Sequence, residues 1–393
     1  MSRSHPIRNK TAIVGVGATP YYKRGRSEPQ TLDELAEKAI IAAVEDAGLK
    51  MADIDGFASF GGGFDTPLLC EALGIPEIRY SAIVTGTGGG SAGSVGLAAS
   101  AVISGMANTV VCVGGLQQNV QRYGTLMAAY PASPENAFFM TSGLFTPGHM
   151  FALLARRHMH LYGTTREQFG EVAISTRENA VRHPEALMRT PLTIDEYMAS
   201  PLIADPHCLY DFCLESDGCV AVIVTSAERA RDLQQLPVYV RAAAQGGASE
   251  WGRALYWMNM PDPVFASSGH ETVARQLYEM ADLKAKDIDV ALLFDHFSSQ
   301  VIMQLEDYGF CGRGEGGPFV QSGAIRWQGG SIPVNTHGGH LSSAYLWGMT
   351  HVREAVEQLR GAAVNQVAGA NFALITGGPS SLPVSALILG RTI

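Results

Sequence analysis

The amino-acid sequence predicts an α/β fold built from two similar halves, and three observations support this prediction. Short apolar runs closed by glycine alternate with segments of helical periodicity, which is typical of mainly parallel sheets joined by helices. Two stretches of the first half recur in the second, which indicates a duplicated unit. Only 17% of the 393 residues are charged, against about 25% in an average protein, so we expect a large core.

The internal repeat consists of two pairs of matching segments. AGLKMADID at Ala47–Asp55 matches ADLKAKDID at Ala281–Asp289 at six of nine positions. ANTVVCVGG at Ala107–Gly115 matches ANFALITGG at Ala370–Gly378, and a Gly-rich turn and a helix precede each of them. Chance similarity between α/β segments is the alternative explanation. Duplication predicts a first half over residues 1–235 and a second half over residues 236–393.

The first half begins with a strand and a helix whose ends are clearly marked. Thr11–Val16 is a short apolar run closed by glycine, which predicts a buried strand. In the next segment apolar residues recur every three or four positions, as on one face of a helix. Thr31 and Glu34 form a capping box at its start, and Gly48 marks its end.

A second helix and strand follow, and then the pattern changes. Ser91–Gly105 has the length of a helix and small or apolar residues on all sides, which predicts a helix between sheets; Asn108–Gly115 is another buried strand. From about Leu116 to Asp205 the periodicity is broken. We interpret this stretch as an insertion that caps the body and contacts the substrate. The α/β pattern resumes at Val238.

Composition argues against several classes of function. Lys+Arg 28 against Asp+Glu 37 gives a net charge of −9 with no basic tract, which argues against nucleic-acid binding. The six cysteines are too few for a disulfide scaffold and form no CxxC pair, so no metal site is predicted. The N-terminal residues lack the apolar core of a signal peptide, and no stretch has the character of a membrane span. We therefore expect a cytoplasmic protein.

Four segments carry a family resemblance. They are RHMHLYGTTREQF (Arg157–Phe169), SDGCVAVIVTS (Ser216–Ser226), LEDYGFCGRGEGGPFV (Leu305–Val320) and NTHGGHLSSAYLWG (Asn335–Gly348). Together with the two α/β halves, they resemble the sterol-carrier/lipid-transfer branch of the thiolase-like superfamily. The resemblance implies a thiolase fold with a five-layered αβαβα body, a homodimeric core and an acyl-CoA substrate. We expect the dimer interface to bury the low-charge strand at Asn108–Gly115.

The position of the thiolase nucleophile carries no cysteine. A thiolase needs this cysteine at a Gly-rich turn, where the N-terminus of a helix stabilises its thiolate. By the resemblance the turn is formed by Gly88, Gly89, Gly90 and Ser91, with Gly88 nearest to the nucleophile's position. Acyl transfer through a cysteine at this turn is therefore excluded. The four small residues either leave room for a bulky substrate or only allow close helix packing.

Two further positions depart from the thiolase pattern. Tyr345 stands where thiolases have a histidine that helps to hold the thioester oxygen. Phe294 stands in the place of the asparagine in the thiolase asparagine-glutamate-x-phenylalanine segment. The missing cysteine and the tyrosine are shared with the thiolase-like aldolases that remove steroid side chains. Those aldolases cleave a β-hydroxyacyl-CoA by a retro-aldol reaction into a ketone and a shortened acyl-CoA. They carry a second phenol at the position of Phe294, so one expected acid/base group is absent here.

A retro-aldol step requires a base for the β-hydroxyl group and donors for the thioester oxygen. Tyr345 is the predicted base or proton relay; because a phenol has a pKa of about 10, it needs assistance from neighbours. Asp295 and His296 follow a strand, where α/β folds place ligands. We favour His296, because only one of two adjacent side chains can easily face the pocket. His337 and His340 flank a Gly-rich turn whose backbone N–H groups suit an oxyanion, and His337 is the better catalytic candidate of the two.

The remaining candidates are substrate-binding residues. Asn335, Gly338 and Gly339 form a Gly-rich turn that leads into a helix, a geometry that suits an anion or oxyanion. His340 in the same turn is either a binding residue or a packing or interface residue. Phe294 and the turn from Gly88 to Ser91 complete the predicted binding site.

The resemblance favours a carbon–carbon lyase, and two alternatives remain open. An acyl-CoA thiolase or acetyltransferase is favoured by the fold and opposed by the missing cysteine, and a non-catalytic acyl-CoA-binding subunit is also possible. No tightly bound cofactor is predicted, and coenzyme A enters as part of the substrate. Aldolases of this family work with a small partner that carries an OB-fold and often a zinc ribbon. The resemblance therefore implies two such partners on a homodimeric core, with any zinc in the partner.

Overall fold

The structure is a computed structural model that describes residues 5–60, 63–84, 89–118, 134–247, 265–380 and 383–393. The strands are β1 (Thr11–Ala18), β2 (Tyr22–Lys23), β3 (Gly56–Phe60), β4 (Tyr80–Val84), β5 (Thr109–Leu116), β6 (Leu202–Ala204), β7 (His207–Cys208), β8 (Ser216–Ser226), β9 (Val238–Gly246), β10 (Val290–Leu292), β11 (Phe372–Gly377) and β12 (Val384–Gly390). The helices are α1 (Leu32–Ala47), α2 (Thr66–Leu73), α3 (Gly90–Ile103), α4 (Pro134–Thr141), α5 (Pro147–Tyr162), α6 (Arg166–Arg182), α7 (Ile194–Ala199), α8 (Ala227–Ala230), α9 (Glu271–Ala281), α10 (Ser298–Asp307), α11 (Gly316–Gln321) and α12 (Met349–Arg360).

One continuous sheet links the two halves of the chain. Its strand order is β10-β11-β12-β9-β1-β8-β5-β3-β4. In the first half β4, β3 and β5 are parallel, and β8 and β1 add antiparallel strands. In the second half β10 and β11 are parallel, and β12 and β9 add antiparallel strands. The halves join where Ala12 and Ile13 of β1 pair with Tyr239 and Val238 of β9.

The matching sequence segments fold alike. In each, a helix ends at a residue in the left-handed conformation, a single 3₁₀ turn follows, and a buried strand begins. The last residue of each segment, Asp55 or Asp289, accepts hydrogen bonds from the backbone N–H groups of the pair that leads into the neighbouring parallel strand, Asn108–Thr109 or Asn371–Phe372. The predicted duplication is confirmed. The boundary between residues 235 and 236 stays a prediction.

The helices and the two halves of the sheet form the predicted five layers. Helix α1 covers the outer face of the first-half strands, where Ile40 packs with Ile223. Helices α3 and α12 lie between the two halves of the sheet, and Val95 and Val356 share one core there with side chains from both. Helices α9, α10 and α6 cover the outer face of the second-half strands. The α/β fold class and the αβαβα order are therefore confirmed.

The insertion between β5 and β8 is more than a cap. Its helix α6 packs on α10 and α11 and on a π-helical turn at Gly339–Ser343. Arg177 of α6 donates from Nε to the Ser342 hydroxyl at 2.9 Å, and Asn179 donates to the carbonyls of Val334 and Asn335 at 3.2 Å. The insertion therefore supports the Gly-rich turn of the second half directly.

The expectation that a dimer interface buries Asn108–Gly115 is wrong. Strand β5 lies between β3 and β8, and all eight of its residues are already buried within one chain. The open edge of the first-half strands is β4, where the side chain of Ile83 is 65% exposed. None of the helices in the described ranges has the length and apolar character needed to span a bilayer.

Candidate active site

Three segments meet beside the ring of Phe294. The first is the segment that follows β10 and contains Phe294 itself. The second contains Tyr345 and Gly348, and the third is the start of α3. A Cβ atom added to Gly348, whose φ is +92°, would lie 2.7 Å from the Ser91 hydroxyl oxygen and 3.1 Å from the Phe294 ring. Ser91, in the Gly-rich turn of the first half, therefore lies close to Gly348 and Phe294 of the second half.

Aromatic rings surround Phe294. Its ring centroid lies 4.6 Å from that of His340, 5.3 Å from that of His296 and 6.0 Å from that of Tyr345, in edge-to-face arrangements. We call these four residues with Ser91 the Phe294 cluster. All five are buried, and no carboxylate or thiol belongs to the cluster.

Asp295 and His296 are adjacent in sequence and have different surroundings. The Asp295 carboxylate accepts the backbone N–H groups of His340 at 2.8 Å and Leu341 at 3.3 Å, so it caps the π-helical turn. The His296 ring packs edge-to-face on Phe151 at 4.3 Å. Asp295 therefore binds backbone N–H groups, whereas His296 belongs to the Phe294 cluster. The catalytic roles of both residues stay predictions.

Asn335 ties the Gly-rich turn to the end of β10. Its Oδ1 accepts the N–H of Leu293 at 2.8 Å, and its Nδ2 donates to the Leu293 carbonyl at 2.9 Å. Its backbone has a φ of +48°, a conformation that asparagine tolerates better than most residues. This pairing sets the position of the residues that follow Leu293. A contact between Asn335 and substrate remains a prediction.

The two glycines of this turn are required by close packing. Gly338 and Gly339 have φ values of +102° and +59°, in the region that favours glycine. A Cβ on Gly339 would lie 2.0 Å from the Asp295 carboxylate, and one on Gly338 would lie 2.6 Å from Ala180. The turn can approach Asp295 and α6 only because neither position has a side chain.

Burial keeps the histidines of the site neutral. It lowers the pKa of His296 to about 3, and burial and the neighbouring histidines lower the pKa values of His337 and His340 well below the usual range. The ring nitrogens of His337 and His340 have no hydrogen-bond partner among the described residues. Neutral imidazoles with free nitrogens can accept a proton or donate one hydrogen bond to a ligand.

His351 on α12 is a site residue that the sequence interpretation missed. Its ring stacks on that of His340 at 4.1 Å with an interplanar angle of 18°, and its Nε2 donates to the Leu293 carbonyl at 2.8 Å. The same Nε2 lies 3.3 Å from Asp295 Oδ1. A sequence signal was present, since His351 follows Gly348 by three residues in the first turn of a central helix.

The Gly-rich turn of the first half is closely packed where the structure describes it. A Cβ on Gly90 would lie 2.0 Å from the Phe60 ring, and one on Gly89 would lie 2.3 Å from the Pro383 carbonyl oxygen. Close helix packing therefore explains these two glycines better than vacant space does. The Ser91 hydroxyl is buried with no hydrogen-bond partner among the described residues. Gly88 lies outside the described residues.

The cysteines have no features of a nucleophile. All six are free thiols, and burial raises the pKa of each one. A catalytic cysteine requires the opposite shift, because the thiolate is the reactive form. Cys213 lies beside the site, where its backbone N–H donates to the His296 carbonyl at 3.0 Å.

One group in the site has the donor types of a metal centre. Ligand atoms of Asp295, His340 and His351 lie within 4.8 Å of one another. Hydrogen bonds account for two of the three residues, because Asp295 accepts backbone N–H groups and Nε2 of His351 donates to a carbonyl. A nitrogen that carries this proton has no lone pair for a metal. The prediction of no metal and no tightly bound cofactor remains a prediction.

The chain is similar to known proteins over nearly all of its length. Residues 250–391 match the family described as "Thiolase C-terminal domain-like". The chain is 39% identical to the 17-hydroxy-3-oxo-4-pregnene-20-carboxyl-CoA lyase of Mycobacterium tuberculosis, over 98% of this chain and 100% of the lyase. It is also 39% identical to the steroid side-chain-cleaving aldolase of Thermomonospora curvata, over 96% and 97% of the two chains.

A solved structure agrees with these relatives. The structure described as "Ltp2-ChsH2(DUF35) aldolase" has a TM-score of 0.90 and 35% sequence identity, over 98% of this chain and 100% of the other. The similarities in sequence and in fold therefore lead to the same group. The chain belongs to the thiolase-like superfamily, in the group that contains the steroid side-chain-cleaving aldolases.

Proposed function

We propose that the protein is a carbon–carbon lyase that cleaves a bulky, steroid-type β-hydroxyacyl-CoA without a cysteine nucleophile. The observation that carries this proposal is the Phe294 cluster, which offers a phenol and neutral imidazoles but no thiol. The similarity to the steroid lyase and aldolase supports a steroid-type acyl-CoA as the substrate class. The name of the Mycobacterium tuberculosis relative places a 17-hydroxyl group on the carbon next to the one that bears the carboxyl-CoA, which makes that substrate a β-hydroxyacyl-CoA.

The reaction is a retro-aldol cleavage. The β-hydroxyl group loses its proton, the bond between the α and β carbons breaks, and the β carbon becomes a ketone. The bonding electrons move to the α carbon and form a thioester enolate, which takes up a proton to give the shortened acyl-CoA. No oxidant, reductant or free coenzyme A is consumed.

The site residues suit two parts of this reaction. Tyr345 takes the β-hydroxyl proton, with the neutral imidazole of His296 as the alternative base in the same cluster. An N–H group of neutral His337 and backbone N–H groups of the Gly-rich turn would stabilise the enolate oxygen. Phe294 supplies ring packing and no hydroxyl group. Asn335, Gly338 and Gly339 hold the turn that these donors occupy.

We also propose that the protein works on a homodimeric core with a small OB-fold and zinc-ribbon partner. The solved relative is described as an aldolase with a DUF35 component, which supports the need for a partner protein. Coenzyme A would enter only as part of the substrate.

The test is a product assay with the partner present. The substrate is a β-hydroxyacyl-CoA with a ring-borne tertiary hydroxyl group, and we expect equal amounts of ketone and shortened acyl-CoA without added coenzyme A. Cleavage of a 3-ketoacyl-CoA that depends on free coenzyme A would establish a thiolase instead. Tight binding without any cleavage would establish a non-catalytic subunit.

A further inference from the structure

His351 lies on α12 and contacts two residues that follow β10, Leu293 and Asp295. The residue is fully buried. Its Nε2 donates to the carbonyl of Leu293, the residue before Phe294, at 2.8 Å, and it lies 3.3 Å from Asp295 Oδ1. Leu293 and Asp295 flank Phe294 in sequence. The His351 N–H group and the Asn335 side chain therefore both bind the backbone of Leu293, the residue that precedes the central ring of the cluster.

The ring of His351 also orders the histidines of the Gly-rich turn. It stacks on His340 at 4.1 Å with an angle of 18°, and it meets His337 edge-to-face at 4.9 Å. His340 in turn lies edge-to-face against Tyr345, with ring centroids 5.0 Å apart and an angle of 83°. The contacts form a continuous series from His351 through His340 to Tyr345.

We propose that His351 is a positioning residue for Tyr345, which it orients through the Asp295 carboxylate and the His340 ring. This inference rests on the proposed function, because Tyr345 is the base or relay of that reaction. A histidine at position 351 supplies two features together. Its Nε2–H group is a second donor to the Leu293 carbonyl, which also accepts from Asn335 Nδ2, and its flat ring stacks on His340.

Two substitutions separate these features. His351→Phe keeps a flat ring and removes the donor, whereas His351→Gln keeps a donor near the position of Nε2 and removes the ring. We expect His351→Phe to lower kcat on the order of 10- to 100-fold with KM changed less than about twofold, since small displacements of catalytic groups have effects of this size. His351→Gln should lower kcat by only about threefold to tenfold, because it keeps the donor and loses only the ring that stacks on His340. Wild-type kcat in both variants, or a change in KM alone, would contradict the proposal.

The matched control is His270→Phe. His270 is also fully buried, and its Nδ1 pairs with the Tyr308 hydroxyl at 2.9 Å, outside the site. It should lower the melting temperature without lowering kcat. A loss of kcat equal to that of His351→Phe would show that removal of any buried histidine is sufficient. If His351→Phe does not fold, His351→Asn removes the same donor, because its shorter side chain cannot reach the Leu293 carbonyl.

The double variant tests whether His351 acts through Tyr345. If it does, Tyr345→Phe with His351→Phe should be no more than about threefold slower than Tyr345→Phe alone, because the group that His351 positions is already absent. A rate loss equal to the product of the two single losses would overturn the proposal.

Nuclear magnetic resonance tests the geometry without turnover. In ¹⁵N-histidine-labelled protein, His351 should be the tautomer with its proton on Nε2. The ring signals of Tyr345, assigned by their loss in Tyr345→Phe, should shift in His351→Phe and not in His270→Phe. An Nδ1–H tautomer, an unshifted Tyr345, or stoichiometric zinc or iron by elemental analysis would overturn the inference. Absence of turnover in a wild-type protein with these spectra would overturn the proposed function alone.

Discussion

The two segments that lead into the central helices occupy equivalent places in the duplicated fold but carry different types of side chain. Before α3, the described part of the turn is Gly89, Gly90 and Ser91, which pack against Phe60 and Pro383 and carry one hydroxyl group. Before α12, the segment from residue 335 to residue 348 carries His337, His340 and Tyr345. In a thiolase, the first segment would hold the nucleophile. Here the described glycines of the first segment serve packing, and the second segment holds the histidine and tyrosine candidates for acid, base and donor.

This difference separates the reaction from the fold. The thiolase-like fold forms without a cysteine at this turn, because the close packing of Gly89 and Gly90 positions the start of α3. The activity therefore has to be inferred from the second segment, because a shared fold does not specify a shared reaction.

The largest expected effect is that of Tyr345→Phe on the rate. The substitution removes one oxygen and keeps the ring that packs against His340 and Phe294. We expect kcat to fall on the order of 10²–10⁴-fold, the usual contribution of a general acid–base group. Binding of the acyl-CoA should persist, and stability should change by only about 0.5–1.5 kcal/mol.

Steady-state kinetics and calorimetry check this result against a control. Tyr278→Phe removes a hydroxyl that donates to the Tyr308 carbonyl at 2.9 Å outside the site, and its rate should equal that of wild type. Wild-type turnover in Tyr345→Phe would transfer the role of base to His296.

The next largest effect concerns stability in the second segment. Gly339→Ala forces a Cβ to within 2.0 Å of the Asp295 carboxylate at a φ of +59°. Overpacking and backbone strain should together lower the free energy of unfolding by about 3 kcal/mol or more. Gly361→Ala is the matched control, because Gly361 has a φ of +78° and open space around it, so only about 1–2 kcal/mol should be lost. Equal losses in denaturant unfolding would contradict the packing argument.

A smaller effect is expected from pH. Six buried histidines have a pKa below their ordinary value, namely His183, His207, His270, His296, His337 and His340. Below about pH 6.5 the unfolded chain binds protons that the folded chain does not, so their contribution to stability is present near neutral pH and is lost on acidification. The melting temperature should therefore fall by at least about 5 °C between pH 7 and pH 5.

Two buried carboxylates, Glu354 and Asp307, act in the opposite direction and limit this slope. Burial raises the pKa of Glu354 to about 7, so its contribution is present at low pH and is lost as the pH rises through 7. Burial also raises the pKa of Asp307, so two carboxylates oppose six histidines. Calorimetry of His340→Phe should give a weaker pH dependence than wild type, whereas the exposed His160→Phe should leave it unchanged. A melting temperature independent of pH would show that these histidines are accessible to water and keep their ordinary pKa values.

The smallest expected effect is that of thiol modification. Iodoacetamide at neutral pH should leave turnover within about 10% of the untreated enzyme, because burial raises the pKa of all six thiols and disfavours the reactive thiolate. Activity after labelling, with mass spectrometry of the labelled sites, provides the measurement. Rapid inactivation with one labelled cysteine would restore the thiolase interpretation and remove the contrast between the two segments.

Local features of the fold were predictable from the sequence. The capping box of Thr31 and Glu34 and the left-handed Gly48 both occur at the ends of α1, as expected. The predicted strand at Thr11–Val16 is β1, extended by two residues, and the helix predicted over Ser91–Gly105 is α3 at Gly90–Ile103. These features are determined by a few neighbouring residues, so the sequence pattern contains the information that specifies them.

Long-range contacts were not predictable in the same way. The sequence placed Asp295 and His296 together at a strand end, but only the structure shows that Asp295 caps the π-helical turn while His296 packs on Phe151. The partnership of His351 with Leu293 joins residues 58 positions apart. Such a contact depends on how α12 lies against β10, and helical periodicity does not encode that placement.

By itself, the sequence determined the α/β class, the duplicated halves, the missing cysteine and the candidate residues of the second segment, because each follows from residue type, spacing or resemblance along the chain. Only the tertiary structure decided that β5 is interior, that Gly89 and Gly90 serve packing, and that Asp295 is occupied by backbone N–H groups. The physical reason is that burial and hydrogen-bond partners arise when distant segments pack together.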